Sequence, residues 1–376
     1  MGGYAESAMA KRFVVSAALV GVVAWQAPAL AQTPPVGGDL LGNKGIVRPE
    51  GIKAPPKTKA TSFVVADAGT GQVLAAKDAH GRYLPASTLK ALTALTLIPK
   101  LDPDLKVRPS ANAVNQEGSA VGLSVKTTYK VSDLFRALMM SSGNDAAMAL
   151  AETNGGLDRT LADMNAEARR LQAFDTVAKT PSGLDKKGQS SSAYDLALIA
   201  RAGLRNPSFR EYITTKVAKF PAPKKWYEIA NHNKLLWRYK GMIGVKNGWT
   251  SKALGSFVGA ATRGDKTIIV AVMRHEGYFW EEVADLLDWG FAASGKVAPV
   301  GQLVDPLPDP AIAQASAPSA TPSASVPARA QPLTDAVADG QDGTSRTAGL
   351  AVIGAGLLFG LVWLGYGLRR RRRSRV

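Results

Sequence analysis

The sequence predicts an α/β (α+β) domain in which an antiparallel sheet is flanked by helices and an all-helical lobe is inserted between its strands. Short β-type runs occur at residues 63–66 and 72–76, and longer ones at 243–250, 255–262 and 267–273. Between these two groups the apolar residues follow a helical spacing. Strands at both ends of a domain with helices in the middle favour a sheet in which the first and last strands pair.

Each element is predicted from its local pattern, in chain order. Residues 67–71, Asp-Ala-Gly-Thr-Gly, form a turn-rich joint between the first two strands. A helix is expected over 87–98, where leucines at 89, 92 and 95 mark one buried face. Residues 263–266, Arg-Gly-Asp-Lys, suit a hairpin turn between the last two strands. The other predicted helices cover 131–140, 145–153, 157–174, 193–204 and, closing the domain, 280–291.

The composition argues against several functional classes. The chain of 376 residues carries a formal net charge of +16, has no cysteine and has three histidines. Without cysteine neither a disulfide framework nor a thiolate metal site can form. His80, His232 and His275 are widely separated in sequence, which disfavours metal catalysis and a Ser-His-Asp triad. We therefore expect no metal and no cofactor.

The N-terminal residues predict export. Lys11 and Arg12 precede an apolar stretch over 13–25, and Ala29-Leu30-Ala31 places small residues where a signal peptidase cuts. Residues 1–31 are therefore expected to be a cleaved signal peptide.

The C-terminal residues predict a membrane anchor. Residues 347–368 carry no charge, and a helix of that length can cross the roughly 30 Å of hydrocarbon in a bilayer. The basic tail over 369–376 should remain in the cytoplasm by the positive-inside rule. We expect a single-pass protein of the cell membrane whose folded domain lies on the extracytoplasmic side, with phospholipid headgroups and not nucleic acid as the partner of the arginines.

Composition also sets the expected domain limits. Residues 32–56 are rich in Pro and Gly and predict a linker, while residues 301–346 are rich in Ala, Pro and Ser and predict a disordered tether. The folded domain is then expected over 57–300.

Three short motifs carry the candidate chemistry, and Ser87-Thr88-Leu89-Lys90 is the first. Positions i and i+3 share a helix face, so the Ser87 hydroxyl and the Lys90 amine should meet at the start of the predicted helix. A serine hydroxyl needs a base to act as a nucleophile at neutral pH, and Lys90 can be that base only when it is uncharged. Burial and a nearby second cation both lower the pKa of a lysine. On its own the motif also suits a plain helix cap.

Ser142-Gly143-Asn144 and Lys246-Asn247-Gly248 supply the partners. The first motif lies in a loop between two predicted helices, and the second lies on a predicted strand. Taken singly, the first is an ordinary turn and Lys246 is a solvated strand lysine. The order and spacing of all three motifs, on a helix start, a loop and a strand, make the combined signal specific.

With these motifs, the chain resembles the low-molecular-mass penicillin-binding proteins, which are serine D-alanyl-D-alanine carboxypeptidases of the β-lactamase/transpeptidase-like superfamily. The resemblance covers about residues 57–293 and implies that fold for the domain. It implies peptidoglycan stem peptides as substrates and β-lactam antibiotics as covalent inhibitors. It also rests on Gly81-Arg82-Tyr83-Leu84-Pro85-Ala86-Ser87, Pro181-Ser182-Gly183-Leu184, Asn231-His232-Asn233-Lys234-Leu235-Leu236 and Leu287-Asp288-Trp289-Gly290-Phe291.

The resemblance implies a role for each motif residue. Ser87 would attack the carbonyl of the penultimate D-Ala to form an acyl-enzyme, with Lys90 as its base and Ser142 relaying a proton to the leaving amine. The backbone N–H groups of Ser87 and Trp249 would form the oxyanion hole, and Lys246 would hold the terminal carboxylate of the substrate. One departure is Asn247, which stands where the family usually has threonine. The implied substrate-binding residues are Asn144, Lys246, Asn247, Gly248, Trp249 and Thr250.

Other functions stay open on the sequence alone. A D,D-endopeptidase could use the same residues. Class A β-lactamases use an additional glutamate in deacylation, and this chain has no glutamate between Glu167 and Glu211. A non-catalytic penicillin-binding wall protein is disfavoured by the intact motifs. A nucleic-acid binder rests on charge alone and lacks a recognised motif.

Overall fold

A computed structural model describes residues 34–308 of the chain. They belong to the first of two compact units, and the second, Pro318–Val376, lies outside the described residues. The predicted signal peptide, membrane helix and basic tail also lie outside them. Within residues 34–308, no helix combines the length and the apolar character needed to cross a membrane.

Eleven strands and nine helices follow one another along residues 34–308, together with two 3-10 helices. In chain order they are a 3-10 helix Asp39–Gly42, β1 (Ile46–Val47), β2 (Ala60–Asp67), β3 (Gln72–Lys77), a 3-10 helix Ala86–Leu89, α1 (Lys90–Leu97), β4 (Lys106–Val107), α2 (Ala111–Val114), β5 (Tyr129–Lys130), α3 (Val131–Met140), α4 (Asn144–Thr153), α5 (Leu157–Arg170), α6 (Ala193–Leu204), α7 (Pro207–Thr214), β6 (Val217–Phe220), β7 (Tyr227–Ala230), α8 (Leu235–Arg238), β8 (Met242–Thr250), β9 (Leu254–Arg263), β10 (Lys266–His275), α9 (Trp280–Ala293) and β11 (Gly301–Gln302).

A seven-stranded antiparallel sheet lies at the centre of the described residues. Its strand order is β1-β3-β2-β10-β9-β8, and β11 also pairs with β3. β2 and β10, from the two ends of the domain, are neighbours, and Val65 lies opposite Val270. The expected sheet, with strands from both ends and a helical insert between them, is confirmed. β8 lies at one edge of this sheet.

Both faces of the sheet are buried, which explains why β2 is apolar at consecutive positions. Side chains alternate between the faces of a strand. Phe63 and Val65 pack into the core that contains α9, whereas Val64 and Ala66 pack into the core that contains the helical lobe. All four are 0% exposed. The sheet therefore lies as a layer between α9 on one side and the helical lobe on the other.

The folded part extends beyond the limits expected from composition. Within the predicted linker, Leu41 is 0% exposed and Ile46 pairs with Lys77 of β3. Beyond residue 300, Gly301 pairs with Val73 and Leu303 is 0% exposed. Both segments are folded, contrary to the expectation, because they cover the edge of β3. Without them β3 would be an open edge of the sheet.

Several short elements were not expected from the sequence, and α7 and the β6–β7 hairpin are among them. α7 begins directly after Asn206, whose side chain accepts a hydrogen bond from the Phe209 N–H, and it has Pro207 in its first turn. Asn before Pro at a helix start is a readable signal. The β6–β7 hairpin pairs Val217 with Ala230. Its strands of four residues are too short for a clear alternation of side chains.

Candidate active site

Ser87 lies in the 3-10 helix that leads directly into α1. The predicted helix over 87–98 therefore begins with a 3-10 turn, and its α-helical part starts at Lys90. Ala86 precedes Ser87 with a φ of +48°, a left-handed conformation that is uncommon for a residue with a side chain. Such strained backbone clusters at functional sites. The turn sets the Ser87 Oγ 3.0 Å from the Nζ of Lys90.

Lys90 is buried, with 0% of its surface exposed. Its Nζ lies 3.0 Å from Ser87 Oγ, 2.7 Å from Asn144 Oδ1 and 2.6 Å from the Ser182 carbonyl oxygen. Burial, reinforced by the positive charge of Lys246, holds the pKa of Lys90 well below its ordinary value. The amine is therefore placed and desolvated as a base requires.

The oxygens around Lys90 determine where the lone pair of its neutral form points. A neutral amine has two N–H donors and one lone pair. The Asn144 Oδ1 and the Ser182 carbonyl oxygen can only accept, so they take both N–H groups. The lone pair is then left for Ser87, whose hydroxyl can donate to it. The two oxygens thus aim the basic lone pair at the hydroxyl that it must deprotonate.

Asn144 is the first residue of α4 and is itself held by the loop between α2 and β5. Its N–H donates to the Ser119 carbonyl at 2.7 Å, and its Nδ2 donates to the Glu117 carbonyl at 2.5 Å. These bonds leave the amide oxygen facing Lys90. The adjacent Asp145 accepts hydrogen bonds from three backbone N–H groups of the same loop, at residues 121–123.

Ser142 lies in the turn between α3 and α4 with a φ of +62° and 5% of its surface exposed. Gly143 closes the turn with a hydrogen bond from its N–H to the Ala137 carbonyl. Within residues 34–308 the Ser142 hydroxyl takes no part in the hydrogen bonds around Lys90. The structure therefore joins Ser87, Lys90 and Asn144 directly and leaves Ser142 beside them without a bond to either catalytic partner.

Lys246 lies on β8 and is 1% exposed. Its Nζ donates to the carbonyl of the next residue, Asn247, at 2.7 Å. Desolvation lowers the pKa of Lys246 to about 7. An anion brought next to this amine would raise its pKa again, which makes Lys246 a site that gains positive charge when a carboxylate binds.

Gly248 brings β8 against the backbone of the nucleophile. A Cβ at this position would lie 2.5 Å from the Ser87 nitrogen, 3.0 Å from the Thr88 nitrogen and 3.1 Å from the Ala86 Cβ. No side chain other than hydrogen fits there without displacing backbone. Because β8 is an edge strand of the sheet, the side of it that faces Ser87 is not covered by another strand.

The last three predicted binding residues follow along β8. Asn247 is half-buried and lies opposite Phe257. Trp249 is 66% exposed, so its indole is available to a ligand. Thr250 is already engaged, because its Oγ1 donates to Asp185 Oδ1 at 2.9 Å. Thr250 thus ties the end of β8 to the loop that follows Ser182.

Two supporting residues were not assigned by sequence reasoning, although both lie in a segment that carried the family resemblance. The Ser182 carbonyl is one of the acceptors for Lys90. Gly183 has a φ of +82°, and a Cβ there would lie 1.9 Å from the Ala86 carbonyl oxygen. A backbone carbonyl leaves no trace in side-chain chemistry, so only the glycine offered a signal.

The remaining glutamates near the predicted deacylation region are engaged elsewhere. Glu167 accepts two hydrogen bonds of 2.7 Å from Arg170 on α5. Glu211 accepts one from Arg136 at 3.1 Å. Glu167 also lines a cavity of about 1130 Å³ whose lining includes none of the site residues named above.

A separate cluster contains the half-buried His80 and Asp175 and the buried Asp195. The His80 Nδ1 lies 2.7 Å from Asp175 and its Nε2 lies 3.0 Å from the Val36 carbonyl. Burial opposes a charge on His80, but the hydrogen bond and the charge of Asp175 raise its pKa overall. Both ring nitrogens thus serve as donors, and the cluster ties the N-terminal segment to the lobe. It lies outside the group formed by Ser87 and Lys90.

Comparison with known proteins matches this chain to one family. The family model described as D-alanyl-D-alanine carboxypeptidase, peptidase S11, matches residues 50–277. The chain is 41% identical over 264 residues to the D-alanyl-D-alanine carboxypeptidase DacB2 of Mycobacterium tuberculosis, which covers 68% of this chain and 90% of that protein.

Solved structures agree with that assignment. The crystal structure of a D-alanyl-D-alanine carboxypeptidase from Mycobacterium tuberculosis H37Rv is similar with a TM-score of 0.66 and 40% identity, covering 68% of this chain and 99% of that one. The Streptomyces K15 DD-transpeptidase is similar with a TM-score of 0.61 and 29% identity, covering 64% of this chain and 100% of that one. The fold is therefore transpeptidase-like, as expected from the motifs.

Proposed function

Because the chain belongs to the family of D-alanyl-D-alanine carboxypeptidases, we propose that Ser87 is the nucleophile with which it removes the terminal D-Ala of peptidoglycan stem peptides and that neutral Lys90 is the base. The observation that carries this proposal is the set of three contacts around the Lys90 Nζ. Two of them are carbonyl-type acceptors and the third is the Ser87 hydroxyl. The enzyme is a serine-type carboxypeptidase.

Acylation then proceeds by one proton transfer and one bond formation. The Lys90 Nζ takes the proton of Ser87 while Oγ attacks the carbonyl carbon of the penultimate D-Ala. The oxyanion that forms is held by the backbone N–H groups of Ser87 and Trp249, on the 3-10 helix and on β8. The close approach of these two segments at Gly248 supports this placement.

The leaving group departs in the second half of acylation. Ser142 passes a proton from the Lys90 ammonium to the nitrogen of the terminal D-Ala, the C–N bond breaks, and free D-Ala leaves. A water molecule then gives a proton to Lys90 and attacks the ester carbon, and Ser87 regains its proton as the shortened peptide is released. The relay role of Ser142 rests on the family resemblance and on its place in the turn two residues before Asn144, which accepts a hydrogen bond from Lys90.

Substrate binding rests on Lys246 and its neighbours on β8. The desolvated Lys246 ammonium faces the terminal carboxylate, and the Asn247 amide donates a second hydrogen bond to it. Trp249, being exposed, offers an apolar surface to the rest of the stem peptide. Asn144 and Thr250 hold Lys90 and the end of β8 in place through their bonds to Lys90 and Asp185.

β-Lactam antibiotics should acylate the same serine and leave slowly. Glu167 and Glu211 are held by arginines, and the sequence between them contains no glutamate to activate a deacylating water for a β-lactam. Penicillin is therefore an inhibitor of this enzyme, and the β-lactamase alternative is disfavoured.

We further propose that the enzyme acts outside the cytoplasm while anchored to the membrane. The support comes from sequence, namely the predicted signal peptide over 1–31 and the uncharged stretch over 347–368 followed by a basic tail. Peptidoglycan, the material on which the family acts, lies on that side of the membrane.

Mass spectrometry of products from purified wall peptides tests the reaction. A stem peptide ending in D-Ala-D-Ala should lose one D-Ala with the wild-type chain and lose none with Ser87→Ala. Cleavage of crosslinked dimers with no release from monomers would identify an endopeptidase. Binding of penicillin without turnover of either substrate would identify a non-catalytic wall protein.

A further inference from the structure

Gln189 is a buried amide, 4% exposed, that makes four hydrogen bonds to one loop. Its Oε1 accepts from the backbone N–H groups of Lys179 and Thr180, at 3.2 and 3.0 Å, and from the Thr180 hydroxyl at 3.0 Å. Its Nε2 donates to the Leu184 carbonyl at 2.7 Å. Backbone N–H groups only donate and a carbonyl only accepts, so the orientation of the amide is fixed by its partners.

The four bonds connect the two ends of the segment 179–184. Thr180 extends the connection, because its Oγ1 also accepts from the Gly183 N–H at 3.0 Å. The middle of the segment faces α1: the Pro181 carbonyl accepts from the Thr93 hydroxyl at 2.7 Å, and the Ser182 carbonyl accepts from Lys90 at 2.6 Å. Gln189 is thus the side chain that closes the loop presenting an acceptor to the base.

We propose that Gln189 is a positioning residue for catalysis, because it holds the Ser182 carbonyl where that oxygen takes one N–H of neutral Lys90 and leaves the lone pair aimed at Ser87. The inference rests on the proposed role of Lys90 as the base. The Ser182 carbonyl provides one of the two acceptors that orient the amine. If it moves, the neutral amine can rotate and point an N–H at the Ser87 hydroxyl.

Apart from the bond between Thr250 and Asp185 at its far end, the loop makes few hydrogen bonds to the rest of the fold near Ser182. Gly183 lies so close to the Ala86 carbonyl oxygen that no side chain fits at this position. Residue 183 therefore has no side chain with which to anchor the loop. The Ser182 hydroxyl accepts only from the N–H of Leu184, within the same loop. Outside Gln189, the bonds that tie 180–184 to the rest of the fold are those to Thr93 and to Lys90 itself. The position of the Ser182 carbonyl therefore depends on the amide of Gln189.

Gln189→Leu in the full-length chain is the first test. The variant keeps the size of the side chain and removes all four bonds. We expect acylation by benzylpenicillin, measured per active site titrated at long times, to slow by about ten- to a hundredfold, since small misplacements of a catalytic group cost that much. Normalising to titrated sites removes any loss due to unfolded protein.

Asn165→Leu is the matched control. Asn165 is also an amide that binds backbone at the start of the same segment, with bonds to the Ala178 N–H and carbonyl and to the Leu161 carbonyl. It does not reach residues 180–184. We expect this variant to acylate within about twofold of wild type per active site even if it melts earlier. Equal slowing of acylation in both variants would show that Gln189 only stabilises the fold, and this result would overturn the proposal.

Gln189→Glu adds a readout that general support does not change. When protonated, the introduced carboxyl keeps an acceptor for Thr180 and a donor for Leu184. When ionised it loses the donor and repels the Leu184 carbonyl, and burial should place this ionisation well above the ordinary value for glutamate. The wild-type chain and the Gln189→Glu variant have the same charged side chains in this loop, namely Lys179, Asp185, Lys186 and Lys187.

We therefore expect the ratio of wild-type to Gln189→Glu acylation rates to grow by about tenfold between about pH 6 and about pH 9. A ratio that stays constant across this range, or Gln189→Leu acylating at the wild-type rate, would contradict the proposal. Failure of the wild-type chain itself to be acylated at Ser87 would instead refute the proposed function on which the inference rests. The two failures are therefore distinguishable.

Discussion

At the scale of single residues, the account depends on two buried lysines that differ in task. Lys90 is hydrogen-bonded to two fixed acceptors and must be neutral to take a proton. Lys246 has one hydrogen bond, to the Asn247 carbonyl, and must be charged to hold a carboxylate. Lys90 benefits from its neighbour, because the charge of Lys246 lowers the pKa of Lys90. The site thus contains two lysines in different forms: Lys90 is the neutral amine that acts as the base, and Lys246 is the ammonium that binds the carboxylate.

Lys246→Met tests this electrostatic coupling. Removing the neighbouring cation lessens the depression of the Lys90 pKa, so the pH at which Lys90 becomes neutral should move upward. The rate of acylation by benzylpenicillin should then rise at a higher pH than in wild type, and KM for a peptide ending in D-Ala-D-Ala should increase by about tenfold or more from loss of the charge-assisted bond. Rate profiles against pH would measure both.

The exposed Lys252, just beyond β8, provides the control. Lys252→Met should leave the midpoint of the pH profile where wild type has it. If Lys246→Met also leaves the midpoint in place, the two lysines are not coupled and the pKa of Lys90 is set by burial alone.

At the scale of elements, the site is made by contact between the 3-10 helix Ala86–Leu89 and the edge strand β8. Gly248 is the point of closest approach, with no room for a Cβ beside the Ser87 nitrogen. This contact brings the nucleophile, held by the helical lobe, to the strand that carries the substrate-binding residues. The geometry of acylation therefore depends on the distance between two secondary-structure elements.

Gly248→Ala should separate these elements. A Cβ 2.5 Å from the Ser87 nitrogen forces β8 or the 3-10 helix to shift, and we expect acylation by benzylpenicillin to slow by about a hundredfold. Gly45→Ala is a suitable comparison, because nothing lies within 4 Å of its Cβ position. Wild-type acylation by Gly248→Ala would mean that the strand does not approach the nucleophile as described.

The helix bounds show which features of the secondary structure could be predicted from the sequence and which could not. The helices over 131–140 and 193–204 match α3 and α6 to the residue, because both are continuous runs rich in apolar residues that are buried over most of their length. The helix expected to reach residue 174 ends at Arg170. Gln172 adopts a left-handed backbone, with a φ of +61°, that no helix continues through. Local pattern thus predicted the existence of these elements better than their ends.

Within the candidate site, prediction worked for side chains and failed for backbone. Ser87 and Lys90 were expected to meet, and they lie 3.0 Å apart, whereas Ser142, expected to be the proton relay, makes no bond to either of them within the described part of the chain. The third contact of Lys90 is a carbonyl at Ser182, and any residue type carries a carbonyl. Gln189, which closes that loop, has no chemistry that distinguishes it in sequence. Such contributions become visible only when hydrogen bonds are traced in three dimensions.

At the scale of the whole molecule, the described residues form a sheet covered on both faces, with the site at the end where the helical lobe meets β8. The edge formed by β3 is closed by segments from both ends of this region, through β1 and β11. Leu41 and Leu303, both fully buried, anchor those segments. Composition alone predicted linkers there, because their few apolar residues are spaced too widely to form a recognisable pattern.

The most direct test of the central claim is the pH dependence of Ser87 acylation in the wild-type chain, followed by mass spectrometry of the benzylpenicillin adduct. We predict that the adduct forms on Ser87, is absent in Ser87→Ala, and that its rate of formation reaches a plateau well below pH of about 10, the ordinary pKa of lysine. A rate that climbs until that pH, or an adduct that persists in Ser87→Ala, would show that a neutral Lys90 does not activate this serine.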